Sequence, residues 1–168
     1  MSSKKTNKLV IQKYGGSSVS NHEKIENAAR RIISYARRGN KVVVVISAMG
    51  DTTDNLVTLA KKINPYPPER EMDMLMSTGE QISGALLAMA LNRRGVGAIS
   101  FTGAQVGIIT DTDHTQAKIL KIETDRLKKE LNKGKIVIVA GFQGLSTALE
   151  ITTLGRGGSD LSAVALAV

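Results

Sequence analysis

The chain has 168 residues, 42% of them hydrophobic, which is enough for one domain with a sizeable core and too few for two ordinary ones. It contains no cysteine, so disulfides, thiolate-ligated metals and a cysteine nucleophile are excluded. The net charge of +8 suits an anionic ligand, yet the basic residues fall as pairs on helical stretches (Arg30-Arg31, Arg37-Arg38, Lys61-Lys62, Arg93-Arg94, Lys128-Lys129), and aromatic residues at 3% are too sparse for a base-stacking surface, so nucleic acid is not an expected partner.

No apolar run reaches transmembrane length, and Met1–Lys8 is polar and basic without an apolar signal region. A cytoplasmic protein with no membrane partner is expected. In chain order, Leu9–Ile11 reads as a buried strand that runs into the glycine turn Lys13-Tyr14-Gly15-Gly16-Ser17-Ser18. Ser20-Asn21-His22-Glu23 has the pattern of a capping box, and Ile25, Ala28, Ala29, Ile32, Ile33 and Ala36 then recur at helical spacing up to a stop at Gly39. Val42–Ile46 is the second strand. The proline cluster Pro65-Tyr66-Pro67-Pro68 reads as a connection between helices.

Ser77-Thr78-Gly79-Glu80 predicts a second capping box, opening an apolar helix through Ile82, Leu86, Leu87, Met89 and Leu91. Ala98–Thr102 adds a strand, and Val106–Thr110 part of a short hairpin. A charged helix over Thr124 to Lys133 precedes the strand Ile136–Val139. Thr152-Thr153-Leu154 is strand-like and enters a second glycine turn, Gly155-Arg156-Gly157-Gly158-Ser159-Asp160, where Ser159 or Asp160 can cap a last helix. The body of that helix, Leu161 to Val168, is apolar all round, as expected of a chain cut from a larger protein. Alternating strands and helices predict an α/β fold, a three-layer α/β/α sandwich on a mainly parallel sheet, incomplete at its C-terminus.

Neither a Walker G-x-x-x-x-G-K-[ST] nor a G-x-G-x-x-G fingerprint is present, and no metal-ligand spacing is found. His22 and His114 both read as solvated residues. The two glycine turns are distinctive because glycine lets a backbone approach a phosphate or carboxylate closely, and each turn carries one cation. Lys13 at the mouth of the first strand is placed to neutralise phosphate oxygens. By pattern alone, Glu80 is the third residue of a capping box. Asp51, Thr52, Thr53, Asp54 and Asn55 read either as a helix start or as a mobile ligand-side loop.

Five segments occur in order: Lys13–Val19 (KYGGSSV), Val45–Asp54 (VISAMGDTTD), Ser77–Gln81 (STGEQ), Ala140–Gly144 (AGFQG) and Thr153–Asp160 (TLGRGGSD). Together they resemble the aspartate kinases of the amino-acid kinase superfamily across nearly the whole chain, with Tyr14 and Ser17 standing where many relatives have Phe and Thr. The resemblance implies ATP- and Mg²⁺-dependent phosphorylation of the side-chain carboxylate of L-aspartate, the step that opens the route to lysine, threonine and methionine.

It also implies roles for individual positions. Lys13 and Asp160 are the catalytic pair, and Lys13, Tyr14, Gly15, Gly16, Ser17 and Ser47 hold the nucleotide. Asp51, Thr52, Thr53, Asp54, Asn55, Glu80, Arg156, Gly157, Gly158 and Ser159 form the substrate side. Glu80 would pair with the ammonium of aspartate and Arg156 would fork its carboxylate. No protein metal ligand is assigned, and Gln105 matches a family segment without a role. On this reading the chain is the N-terminal, substrate-binding portion of a kinase domain, weak or inactive alone, without the rest of that domain and without ACT regulatory domains. It either forms a homo-oligomer or associates with the missing portion. The alternatives are another amino-acid kinase, acting on glutamate, carbamate or a nucleotide monophosphate, and a non-catalytic fragment that needs a partner chain.

Overall fold

The structure, a computed structural model, describes residues 8–167. Residues 1–7 of the basic N-terminal segment and Val168 lie outside the described residues. Four strands form a parallel sheet in the order β1-β2-β6-β3: β1 (Leu9–Tyr14), β2 (Lys41–Ile46), β3 (Ala98–Phe101) and β6 (Ile136–Ala140). Successive side chains on a strand leave by opposite faces, so β2 after Lys41 and all of β6, being apolar, must be covered on both.

Val42, Val44, Ile46, Ile136 and Ile138 meet helices α1 (His22–Arg37) and α3 (Glu69–Arg93). Val43, Val45, Val137 and Val139 meet α4 (Asp125–Asn132) through Leu127 and Leu131, with Ala163 and Leu166 of α5 (Gly158–Ala167) packed against the same cluster. This gives the three α/β/α layers.

α1 buries Ile25, Ala28, Ala29, Ile32 and Ile33, the stripe its spacing predicts. Its cap sits one residue later than the Ser20 pattern implies: the Asn21 side chain accepts from the Lys24 N–H at 3.0 Å. Asn21→Ala is therefore expected to lower stability by about 1 kcal/mol in urea unfolding, with Ser20→Ala near neutral.

α3 overturns the second capping box. It begins at Glu69, after the prolines that separate it from α2 (Thr52–Ile63), and runs unbroken for 25 residues. Ser77 and Thr78 lie within it, and their hydroxyls donate back to the carbonyls of Met74 and Leu75 at 3.0 and 2.7 Å instead of capping anything. Glu69 and Glu71 occupy the true first turn, where carboxylates suit the helix dipole.

A second sheet, in the order β5-β4-β7-β8, comprises β4 (Ile108–Thr110), β5 (Ile119–Ile122), β7 (Gln143–Ser146) and β8 (Ile151–Thr153). The expected hairpin is the antiparallel β4–β5 pair; β4 also pairs parallel with β7, and β7 antiparallel with β8. Gln143 fastens this sheet to α3 by donating to the carbonyl of Ser77 at 2.8 Å. Gln105 also finds a structural place, since it exchanges two bonds with Thr102 at 3.0 and 3.1 Å that close the turn after β3. No described helix is long and apolar enough to cross a membrane.

Candidate functional site

A cleft of about 520 Å³ opens beyond the carboxyl ends of β1 and β2, where open α/β sheets bind ligands. Connecting segments and residues of α2, α3 and α5 (Gly158–Ala167) meet there. β1 delivers Lys13 on the face toward α5, and the pleat turns Tyr14 into the α1 side of the core. The Lys13 ammonium lies 3.1 Å from Asp160 in the first turn of α5. Neither Ser159 nor Asp160 is the cap of that helix, because it already begins at Gly158. Its N-terminus lines the cleft through Gly158, Ser159 and Asp160, so the positive end of its dipole adds to Lys13.

The turn that leads into α5 bears Arg156, with Gly155 and Gly157 at φ 76° and 75°, where side chains with a Cβ rarely sit. Among the described residues Arg156 has no hydrogen-bond or ion-pair partner, so its guanidinium is free to fork an incoming carboxylate.

Glu80 projects from the middle of α3. Gly79 makes this possible: a Cβ there would stand 2.8 Å from the Cβ of Ala48, so only glycine lets α3 come so close to the loop after β2. Glu80 Oε1 then accepts from the Ala48 N–H at 3.1 Å. The residue is 3% exposed, and Oε2 is buried without a hydrogen-bond partner among the described residues. Burial pushes the carboxyl up from 4.5 to about 7, against the opposing pull of backbone N–H bonds. A buried acceptor with one oxygen unmet is a place for a cationic donor. The Glu80 alternative is thus decided in part: a capping role is excluded by its mid-helix position.

The cleft gathers Lys13, Gly16, Ser47, Thr53, Glu80, Arg156, Gly157, Gly158, Ser159 and Asp160 from among the sequence candidates. Gly15 borders it, since a Cβ there would stand 3.3 Å from the Lys13 Nζ. Tyr14 does not line it, and its hydroxyl donates to Gln12 at 3.0 Å. Ser17 sits in the turn Gly16–Ser18 and lines a separate groove beside α1. Asp51, Thr52, Asp54 and Asn55 also lie off the cleft. Thr52 to Asn55 form the first turn of α2, and the Thr52 hydroxyl donates to the Met49 carbonyl at 2.6 Å.

Sequence reasoning missed Ala48, Met76, Thr115 and Phe142, which line the cleft. Thr115 and Phe142 have φ of 63° and 69°, a left-handed backbone that no residue-type signal announces. His114 is a correction. It is not a solvated loop residue: its ring is 20% exposed, and Nδ1 lies 2.7 Å from the fully buried Asp73. His22 stays in the exposed first turn of α1, as expected.

A parallel α/β sheet whose carboxyl edge carries two cations, two carboxylates and a helix N-terminus has charges that complement a small anionic, amine-bearing molecule. The chain belongs to the amino acid kinase family, whose family model matches residues 8–168. It is 60% identical over 159 residues to the aspartokinase of Bacillus sp. (strain MGA3) and 58% identical to aspartokinase 2 of Bacillus subtilis (strain 168). Both matches cover 95% of this chain and 39% of the relative, so the chain spans about two fifths of their length.

Among solved structures, aspartate kinase from Synechocystis superposes with a TM-score of 0.81 at 55% identity, over 95% of this chain and 26% of that one. E. coli aspartokinase III in complex with aspartate and ADP superposes with a TM-score of 0.83 at 26% identity, over 95% of this chain and 46% of that one.

Proposed function

We propose that this chain is the acceptor-binding portion of an aspartate kinase, which transfers the γ-phosphoryl group of ATP to the side-chain carboxylate of L-aspartate. One observation carries the reading. A single cleft sets a buried carboxylate oxygen of Glu80 together with Arg156, neither of which has a partner among the described residues. That pair complements an ammonium and a carboxylate on one small molecule, which argues against a nucleotide acceptor. The similarity to aspartokinases, one of them solved with aspartate and ADP, supports the same reading.

The acceptor needs no general base, because an ionised carboxylate is already a nucleophile. It attacks the γ-phosphorus, the bond from that phosphorus to the β–γ bridging oxygen breaks, and ADP leaves with the electron pair. The residues then contribute by alignment and charge neutralisation. Glu80 and Arg156 would hold the acceptor by its two ends. Lys13, the N-terminus of α5 and the Gly16 and Ser47 loops would receive the phosphoryl oxygens, and Asp160 would keep the Lys13 ammonium aimed at them.

Mg²⁺ carried on nucleotide phosphates needs only one or two protein carboxylates, and the partly exposed Asp160 suits that role. Among the described residues no cluster of three or more His, Cys, Asp or Glu could hold a metal by itself. When bound, the ion would neutralise phosphate charge. The nucleotide base and ribose would fall to the portion that the longer relatives carry, with the chain cytoplasmic and working in association with that portion.

Calorimetric titration tests the reading. L-aspartate is expected to bind and to compete with its own analogues, whereas succinate, which lacks the ammonium, is expected to bind at least about 100-fold more weakly. Equal binding of succinate and aspartate would defeat it. Trapping the acyl phosphate as its hydroxamate is expected to give little product from residues 1–168 alone, and full turnover by that piece would refute its dependence on the remainder.

A further inference from the structure

α3 carries a second buried carboxylate that phosphoryl transfer does not use. Asp73 is fully buried, two turns before Glu80 on the same helix face. Taking a carboxylate out of water is unfavourable unless donors surround it, and the donors here come from two separate segments. The Thr115 N–H reaches both carboxylate oxygens at 3.1 Å, and the His114 Nδ1 lies at 2.7 Å from one of them. The Thr153 hydroxyl donates at 2.5 Å from the end of β8. With the carboxylate as acceptor, the His114 contact is a hydrogen bond in the form whose Nδ1 carries the ring proton.

These contacts reach the rim of the cleft. Thr153 is three residues before Arg156, and its carbonyl accepts from the Ala117 N–H at 2.9 Å. Thr115 lines the cleft with its backbone held at φ 63°, an unfavourable region for a β-branched residue that persists only where its surroundings impose it. The Thr115 carbonyl in turn packs against Gly155, where a Cβ would stand 3.3 Å away.

We infer that Asp73, backed by His114, is the positioning residue of the acceptor pocket: it ties the Arg156 turn and the Thr115 loop to α3, so that Arg156 is held at a set span from Glu80. The acceptor part of this inference rests on the function proposed above. One rigid helix then sets both ends of the pocket, binding the ligand through Glu80 and aiming its counterpart through Asp73. Nothing in the mechanism asks Asp73 to touch the ligand, and it does not line the cleft.

Amide hydrogen exchange by NMR, paired with aspartate titration, tests this. Asp73→Asn keeps the shape but replaces one acceptor with a donor. The amides of Leu154 and Gly158, which bond to the carbonyls of Phe142 and Gly155, are expected to exchange at least about 10-fold faster, and aspartate to bind on the order of 10- to 100-fold more weakly. The core amides of β2 and β6 should stay protected, a pattern that general destabilisation would not produce. Thr153→Val is expected to act in the same direction with a smaller effect. His114→Leu should loosen the turn, and His114→Asn, whose amide nitrogen can replace Nδ1, should restore it.

Unchanged exchange at Leu154 and Gly158 in Asp73→Asn overturns the inference. If that variant does not fold, Thr153→Val and the His114 pair decide, and unaltered turn exchange in both also overturns it. Should the native chain bind no aspartate, the proposed function fails, while the exchange measurements still decide whether Asp73 governs the turn.

Discussion

Glu80→Gln is expected to stabilise the ligand-free protein at pH 8, leave it unchanged at pH 4, and remove its affinity for an amino-acid acceptor. Burial raises the folded-state Glu80 carboxyl from 4.5 to about 7. Between those values the folded protein holds a proton that the unfolded chain has lost, so stability falls as pH rises through the window and stays low above it. At 1.36 kcal/mol per unit, the full penalty is up to about 3 kcal/mol. A glutamine carries no charge and keeps an oxygen for the Ala48 N–H, so it escapes most of that penalty; its amide NH₂ in the same dry place gives part of the gain back. Thermal unfolding at pH 4 and pH 8 measures the effect. Equal pH dependence in the two proteins would show that Glu80 is not held in this state.

Binding runs the opposite way. An ammonium at Oε2 favours the ionised form, so acceptor affinity in the native protein should rise with pH and level off above about 7. Glu80→Gln loses the buried ionic partner, for which a weakening of about 100-fold or more is expected, and its remaining affinity should be flat with pH across the same window. One substitution that stabilises the fold while abolishing binding marks a group kept for its ligand.

Lys13→Met in the full-length kinase is expected to lower kcat by roughly 10³-fold, since a preorganised cation opposite developing phosphoryl charge has no replacement there. Stability should barely move. Lys13 and Asp160 form an ion pair at 3.1 Å, but their side chains are 31% and 67% exposed, and solvent screening leaves such a pair less than about 1 kcal/mol. Methionine fills a similar volume, so a change in Tm beyond about 3 °C would point to a structural role instead. Acceptor affinity, which the proposed function assigns to Glu80 and Arg156, should stay within about threefold if these act separately from Lys13. Retention of more than a tenth of native kcat would remove Lys13 from the chemistry.

The first prediction depends on where α3 places its carboxylates, and α3 is also where local sequence reading was least reliable. Ser77-Thr78-Gly79-Glu80 matches a capping box residue for residue, yet it lies deep inside a helix. Serine and threonine hydroxyls satisfy a local acceptor equally well by bonding backward, so the pattern alone does not separate a helix start from a helix middle. The strands β2 and β6 were legible because β-branched runs buried on both faces have few alternatives; β1 was legible as a strand but not as a buried one, because it lies at the sheet edge with Leu9 55% exposed. β5 and β7 were not, being four residues each of mixed polarity, and β7 takes its parallel partner β4 from well before it in the chain. Among site residues, Lys13, Glu80, Arg156 and Asp160 could be named from their motifs. Asp73 and His114 could not, because an aspartate in a helix and a histidine in a polar loop ordinarily face water.

The sequence by itself determined the alternation of strand and helix, the two glycine turns with their cations, and the family those turns belong to. These are local properties, written in the spacing of apolar residues and in the few residue types that tolerate a tight backbone. Tertiary structure alone decided that Lys13, Glu80, Arg156 and Asp160 share one cleft, that Glu80 is dry enough to hold a proton near neutral pH, and that Asp73 is enclosed by donors from two segments about 40 and 80 residues away. Burial and long-range contact arise only when the layers close, because the free energy of a charge depends on what surrounds it and not on its neighbours in the chain.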